Sequence, residues 1–362
     1  METEIPEFIT EIKNKNYKKA YDILIENNIL SYVCSIVCPH EEQCEGSCIR
    51  GIKGNSTSIG KLEKFVNEWA KKNNYKHIMN KKEKNGKKIA IIGSGPAGLE
   101  CTTELLKYGY EVDVFEKEDV PGGILQYGIP DFRLSKEIVK EVIDYIKELG
   151  ANFILNKELG KDFSISELKQ KYDGIFLGIG ATKQTSYSLS EETKEKIYLS
   201  DIFLKAYNEN KFYNNLGTVA VIGGGNVAMD SARAAIKMGA KEVKILYRRD
   251  KAHMPAREDE LNDAIKEGVI FKELTRVKSA NTKNGNIESL NCVRTEIING
   301  KAVDILDNGN FIGYLYTTKQ FLNNILQNNN ELNPQQINQM ITNIFFAIKR
   351  KIVFPLTKIK CR

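Results

Sequence analysis

Lys88-Ile-Ala-Ile-Ile-Gly93-Ser-Gly95-Pro-Ala-Gly98 sets a short apolar, β-prone run directly against three closely spaced glycines, with a helix-like run after it. Beyond that helix lies a second apolar run, Tyr110-Glu-Val-Asp-Val-Phe-Glu116, which ends in an acid. A strand that turns sharply into a helix, so that the helix amides face a pyrophosphate, leaves no room for a Cβ at the turn. Gly93, Gly95 and Gly98 meet that demand. Glu116, at the end of the second run, can accept hydrogen bonds from ribose hydroxyls and would repel a 2′-phosphate. The spacing therefore predicts a Rossmann-like unit for FAD or NAD rather than NADP.

The same pattern returns at Thr218-Val-Ala-Val-Ile-Gly223-Gly-Gly225-Asn226-Val-Ala228, followed by a helix-like run and Lys241-Glu-Val-Lys-Ile-Leu-Tyr-Arg248-Arg249. Here Arg248 and Arg249 replace the acid. Two guanidinium groups at a strand end suit a 2′-phosphate, which predicts an NADPH site. The plain alternative for the pair is a solvated basic face. A single glycine fingerprint is weak evidence, but each of these has a strand before it, a helix after it and the expected second strand.

The chain has 362 residues, 41% hydrophobic and 28% charged, with a formal net charge of +6. That length allows two or three domains, and the composition is that of a globular protein. No apolar run reaches the length of a transmembrane helix, and Glu2, Glu4, Glu7 and Glu11 stand where a signal peptide would be apolar. The basic charge is dispersed, and its densest stretch, Lys71 to Lys88, is Asn-rich and linker-like, so no nucleic-acid surface and no membrane partner is expected. A cytoplasmic or organelle-matrix location with reduced thiols is expected.

Four of the seven cysteines, Cys34, Cys38, Cys44 and Cys48, are crowded into one short segment. Disulfides are disfavoured in a reducing compartment, and thiolates at such spacings suit a metal centre. The Cys38-Pro39 step and the lack of a His pair at finger spacing favour an iron–sulfur centre over zinc, with His40 close by and free thiols as the third possibility. Cys101 falls inside the first Rossmann helix as a core residue.

Apolar residues at helical spacing (Phe8, Ile9, Ile12, then Ala20, Ile23, Leu24) predict two short helices before the cysteines, and Ile59 to Ala70 predicts another. The expected organisation is an α-helical iron–sulfur domain at 1–80, the first part of an FAD domain at 81–212, an NAD(P)H domain at 213–297 and an Asn-rich tail at 298–362. Gly122-Gly123-Ile-Leu125-Gln126-Tyr-Gly128, after the FAD-type strand, is a candidate flavin-contacting loop. A helix is expected from Ser135 to Leu149. Tyr172-Asp-Gly-Ile-Phe-Leu-Gly178-Ile-Gly180-Ala181 is expected to be a buried strand ending in small residues.

With these segments in view, the chain resembles the small (β) subunit of NADPH-dependent glutamate synthase and its relatives, among them the large subunit of NADH-dependent ferredoxin:NADP oxidoreductase and the N-terminal part of dihydropyrimidine dehydrogenase. The resemblance runs from about Ile5 to Thr295. It rests on the cysteine block with Gln43-Cys44-Glu45-Gly46, Ile59-Gly60-Lys-Leu-Glu63-Lys-Phe65, Gly122 to Pro130 with Phe132-Arg133-Leu134, Gly223 to Asp230, and Tyr247-Arg-Arg249 with Met254-Pro255-Ala256. It implies an α/β fold in which an FAD domain, preceded by a helical iron–sulfur domain, is interrupted by an NADPH domain. It also implies hydride transfer from NADPH to flavin and single-electron transfer to a [4Fe-4S] cluster and an electron-accepting partner subunit. Such chemistry belongs to the cofactors, so no general acid or base is assigned. Gly123, Leu125 and Gln126 are then flavin-side contacts, the four cysteines are cluster ligands, and Arg257 is a further candidate for the NADPH charge clamp.

Two departures from the family stand out. The family carries an earlier cysteine block before the stretch matching Ile5, and a later Gly-Gly-Asp segment that completes the FAD site. Both are expected to be missing here, so truncation at both ends, at most one cluster and an incomplete FAD site are expected. In the tail, Leu322, Ile325 and Leu326 recur at helical spacing. The competing function is a non-catalytic nucleotide-binding remnant. A flavin-dependent disulfide reductase is disfavoured, since no CxxC pair follows the first fingerprint.

Overall fold

The computed structural model describes residues 3–181, 197–213, 215–284 and 286–305. The chain divides into two compact units, one holding 3–181 and 201–212, the other the remaining described residues.

The first unit begins with four helices, α1 (Ile5–Lys13), α2 (Tyr17–Asn27), α3 (Ser31–Val37) and α4 (Ile59–Lys72). Three helices precede the cysteine loop where two were expected. Asn28, in extended conformation, ends α2, and its side-chain oxygen accepts from the Leu30 amide (3.0 Å) at the start of α3. Phe8, Ala20, Leu24, Ile59 and Val66 form a small core between α1, α2 and α4.

An α/β layer follows: β1 (Lys88–Ile92), α5 (Pro96–Lys107), β2 (Glu111–Phe115), α6 (Ile124–Tyr127), α7 (Lys136–Glu148), β3 (Asn152–Ile154), α8 (Ile165–Lys171), β4 (Gly174–Leu177) and α9 (Ser200–Asn208). The strands are parallel in the order β3-β2-β1-β4, joined by the crossover helices that parallel pairing requires. Helix starts follow their local chemistry. Pro96 sits in the first turn of α5, Ser135 caps α7, and Ser164 with Glu167 makes a capping box on α8.

Ile25, Ile29, Leu30 and Val33, of α2, α3 and the turn between them, pack into the same core as Leu99, Leu106, Val112, Val114 and Ile143 of the α/β layer, while α1, α2 and α4 keep the small core of their own. One expectation changes here. β4 was expected to be buried, but Phe176 and Leu177 are 36% and 54% exposed. In the described sheet β4 is an edge strand paired to β1 alone, and the apolar run by itself could not distinguish an edge from an interior position.

The second unit contains β5 (Thr218–Ile222), α10 (Asn226–Lys237), β6 (Glu242–Leu246), α11 (Glu258–Lys266) and β7 (Ile270–Lys272), with parallel strands in the order β5-β6-β7. An antiparallel meander of β8 (Thr275–Lys283), β9 (Asn286–Ile298) and β10 (Lys301–Ile305) follows. Residues 298–305, assigned to the tail from sequence, complete this meander, because β10 pairs with β9 from Lys301↔Ile298 to Ile305↔Arg294. The helical spacing around Leu322 lies outside the described residues. Among the described residues no helix is long and apolar enough to cross a membrane.

Candidate functional site

The first cradle lies where β1 runs into α5. Gly93 has φ +98°, and a Cβ there would stand 2.4 Å from the Gly178 carbonyl oxygen, so the end of β4 presses against the turn. A Cβ on Gly98 would lie 1.9 Å from the Gly93 carbonyl oxygen, which only a hydrogen at that position avoids. Gly95 faces open space at the first turn of α5, where free amides favour an anion. Open space beside Gly95 and free first-turn amides are what a pyrophosphate cradle requires.

Glu116 is buried beside this turn, and its carboxylate is already engaged. One oxygen accepts from the Ser94 amide (3.0 Å) and hydroxyl (2.5 Å), and the other from the Glu118 amide (3.0 Å). A carboxylate has about four acceptor sites, so one stays free for a ribose hydroxyl. Ser94 is fully buried, and its hydroxyl oxygen also accepts from the Gly122 amide (3.0 Å), which ties the turn to the candidate flavin loop. Spacing alone does not reveal Ser94, because the middle residue of a G-x-G turn is chemically unspecified in the fingerprint.

Gly123 approaches the same turn directly: at φ +54°, a Cβ there would meet the Gly95 Cα at 2.8 Å. Gln126 is half-buried. The Leu125 side chain is 3% exposed in the main core, and its carbonyl accepts from Lys136 Nζ (2.9 Å), so a flavin contact at this position would be made by its main chain.

The second cradle repeats the plan with looser packing. Ala228 occupies the third fingerprint position, and a Cβ on Gly223 would meet the Ala228 methyl at an ordinary 3.4 Å. Gly225, like Gly95, opens to free space, while Gly224 lies under the Tyr247 ring, 2.4 Å from a would-be Cβ. Asn226 Oδ1 accepts from the Arg257 amide (3.0 Å), and the Ala256 amide donates to the Gly224 carbonyl (3.0 Å). The 250–257 segment is thereby fastened to the glycine turn.

Strand register corrects the sequence alignment of the two sites. Ile92 pairs with Phe115 in the first unit and Ile222 with Leu246 in the second. The residue matching Glu116 is therefore Tyr247, and Arg248 and Arg249 follow it by one and two positions. The acid is replaced by an aromatic ring that packs on the glycine turn, with the cationic pair just beyond. Arg248 is exposed and Arg249 half-buried. The Arg257 guanidinium lies 2.7 Å from Asp259, which makes it a local ion pair.

Of the cysteines, Cys34 lies on α3 and the other three in the loop before α4. Burial pushes the Cys34 thiol up to about 12 and raises Cys44 as well. Cys48 is lowered, because amides of Thr57 and Arg50 can bond its thiolate. Thiolates are suitable donors for iron, but among the described residues no three His, Cys, Asp or Glu side chains converge on one metal-sized point. Beside the loop, the His40 ring covers Gly60 and leaves Nε2 buried without a hydrogen-bond partner.

Sequence reasoning named Glu63 only within the family match and gave it no role. It is buried on α4, accepts from the Ser31 hydroxyl (2.8 Å), and burial raises its carboxyl to about 7. Its signal was legible: a charge on the stripe of Ile59, Val66 and Ala70 that faces inward.

Residues 87–307 match the family described as pyridine nucleotide-disulphide oxidoreductase, and residues 1–75 match that described as dihydropyrimidine dehydrogenase domain II, 4Fe-4S cluster. Among curated proteins, the chain is 34% identical to the glutamate synthase [NADPH] small chain of Escherichia coli, covering 81% of this chain and 65% of that one. It is 34% identical to the NADP(+)-dependent formate dehydrogenase subunit beta of Moorella thermoacetica, covering 81% of this chain and 45% of that one. With the NADPH-Fe(3+) oxidoreductase subunit beta of Geobacter sulfurreducens the identity is 35%, over 80% and 44%. The chain thus spans less than two thirds of these relatives. Among solved structures, FprA of Mycobacterium tuberculosis in complex with NADPH superposes with a TM-score of 0.51 at 21% identity, over 60% of this chain and 66% of that one, and so shares the fold. The first family match covers more than half of the sequence and contains both glycine cradles, and the chain belongs to the pyridine nucleotide-disulphide oxidoreductase family.

Proposed function

We propose that the chain is an NADPH-oxidising flavin and iron–sulfur subunit that passes electrons to a partner subunit, in the manner of the glutamate synthase small chain. The observation that carries this reading is the opposite charge at the ends of two otherwise equivalent cradles: Glu116 in the first, and Arg248 with Arg249 in the second. One suits the free ribose hydroxyls of FAD, the other the 2′-phosphate of NADPH. Gly93, Gly95, Gly98, Glu116, Gly123, Leu125 and Gln126 would hold FAD. Gly223, Gly225, Asn226, Ala228, Arg248 and Arg249 would hold NADPH. The bound flavin supplies the change from hydride to single-electron transfer, and the protein supplies orientation and charge. Cys34, Cys38, Cys44 and Cys48 are the proposed cluster ligands, and the proposed compartment is the cytoplasm, where thiols stay reduced. The identity of the accepting subunit follows from neither cradle.

One observation favours a second reading, a nucleotide-binding module without a working relay: among the described residues no three of the thiols converge on a metal-sized point. A single experiment separates the two. Anaerobically purified protein is examined by visible spectroscopy, with flavin and iron quantified on the same sample. Stoichiometric flavin and iron, both bleached by NADPH, are expected of the relay. Colourless protein that still binds NADPH overturns it in favour of the module.

A further inference from the structure

The two arginines proposed to recognise the 2′-phosphate stand on an unusually restrained piece of main chain. Three consecutive carbonyls follow the strand end, and each accepts a hydrogen bond, two from residues where the meander joins β7 and one from Thr295 of β9. The Thr275 amide donates to Tyr247 (2.9 Å), the Thr295 hydroxyl to Arg248 (2.7 Å) and the Leu274 amide to Arg249 (3.0 Å). The Thr295 amide in turn donates to the Leu274 carbonyl (2.8 Å), which closes a loop of contacts beneath the pair.

Two details set this arrangement apart from ordinary sheet bonding. Thr295 is fully buried, and its hydroxyl, not its amide, reaches the Arg248 carbonyl. Leu274 has φ +50°, in the left-handed region that a branched, non-glycine residue occupies only at a cost. Strain of this kind persists where surrounding contacts over-determine the backbone, as at ligand-binding segments. The flexible arginine side chains have many rotamers, so the direction of their Cα–Cβ bonds decides whether both guanidinium groups reach one phosphate.

We propose that Thr295 is a positioning residue for nucleotide selectivity. From the meander, its hydroxyl holds the Arg248 main chain so that Arg248 and Arg249 together address a 2′-phosphate. This rests on the assignment of the arginine pair to NADPH. Without the Thr295 hydroxyl the arginine-bearing backbone relaxes, and the loss falls on the phosphate-bearing nucleotide.

The test is equilibrium binding of NADP+ and NAD+ to the intact chain by calorimetry, with thermal stability measured alongside. The wild type is expected to prefer NADP+. Thr295→Val, close in shape, is expected to weaken NADP+ binding by about fivefold, the effect of one net hydrogen bond, and to leave NAD+ binding within about twofold. Thr295→Ser keeps the hydroxyl and loses the methyl, so it is expected to lower stability while retaining the NADP+ preference. If Thr295→Val does not fold, the Ser variant decides, and its loss of the preference overturns the proposal. So does a folded Val variant with an unchanged NADP+ to NAD+ ratio, or one that weakens both nucleotides equally. A wild type that binds the two equally overturns the arginine assignment itself, and the role of Thr295 with it. A Val variant that alone loses the preference supports both.

Discussion

The third glycine position of each cradle sets how closely helix and strand approach, and the two units make opposite choices. Gly98→Ala places a methyl against the Gly93 carbonyl oxygen, 1.9 Å from an ideal Cβ. It is expected to destabilise the first unit by about 1–3 kcal/mol through overpacking and to abolish flavin retention. Ala228→Gly, where the contact is ordinary, is expected to cost only about 1 kcal/mol in helix propensity; chemical denaturation of both variants, with flavin counted after dialysis, checks the asymmetry. For the charge pair, Arg248→Glu with Arg249→Ala is expected to reduce NADPH affinity by about tenfold or more and to spare NADH, since each charged hydrogen bond contributes about 1.5–3 kcal/mol. Equal losses for the two nucleotides would count against the assignment. The glycine turns and the acid at position 116 could be located from sequence because their spacing from a strand is obligatory, whereas the arginines were placed one and two positions too early relative to Glu116. Ser94, Tyr247 and Thr295 were not legible in it, since their roles depend on which residues from distant segments come to lie beside them.

At the scale of elements, a polar clasp joins the strand ends of the first sheet. Asp113 of β2 is bound by Lys88 of β1 (2.8 Å), by the Tyr172 hydroxyl just before β4 (2.6 Å) and by Asn152 of β3 (2.9 Å). Burial acts to raise its carboxyl, but Lys88, Tyr172 and Asn152 outweigh it and hold the group below its ordinary value. The folded value is therefore lower than the unfolded one. The associated stability is present above the unfolded value and is lost as pH falls through the folded one. Asp113→Asn is expected to flatten the acid limb of the stability profile, measured as denaturation midpoint against pH below about 5; an unchanged limb would mean that the clasp contributes nothing. On α8, Ser164→Ala removes the hydroxyl half of a capping box, leaving the residue-164 amide bonded to Glu167, and is expected to cost about 1 kcal/mol. The edge position of β4 belongs to this scale too. Its apolar residues read as buried because composition records hydrophobicity, not which side of a strand has a neighbour.

For the molecule as a whole, the core that α2 and α3 share with the first sheet predicts that the two regions unfold together. Ile29, between α2 and α3, is 3% exposed and packs in the cluster that also holds Leu99 and Val114. Ile29→Ala is expected to lower stability by about 2–5 kcal/mol with a single transition in which helix signal and bound flavin are lost at one denaturant concentration; separate transitions would show that the shared core does not couple them. The sequence by itself determined that there are two Rossmann-like units, which residues form their glycine turns, and which turn carries negative and which positive charge. These are local consequences of strand, turn and helix chemistry within a few dozen residues. Only the tertiary structure decided that α2 and α3 share a core with the sheet, that Tyr247 stands where Glu116 stands in the first unit, and that Thr295 and Leu274 support the arginine pair. Each of these depends on register and packing between segments far apart in the chain, which hydrophobic pattern and residue spacing do not encode.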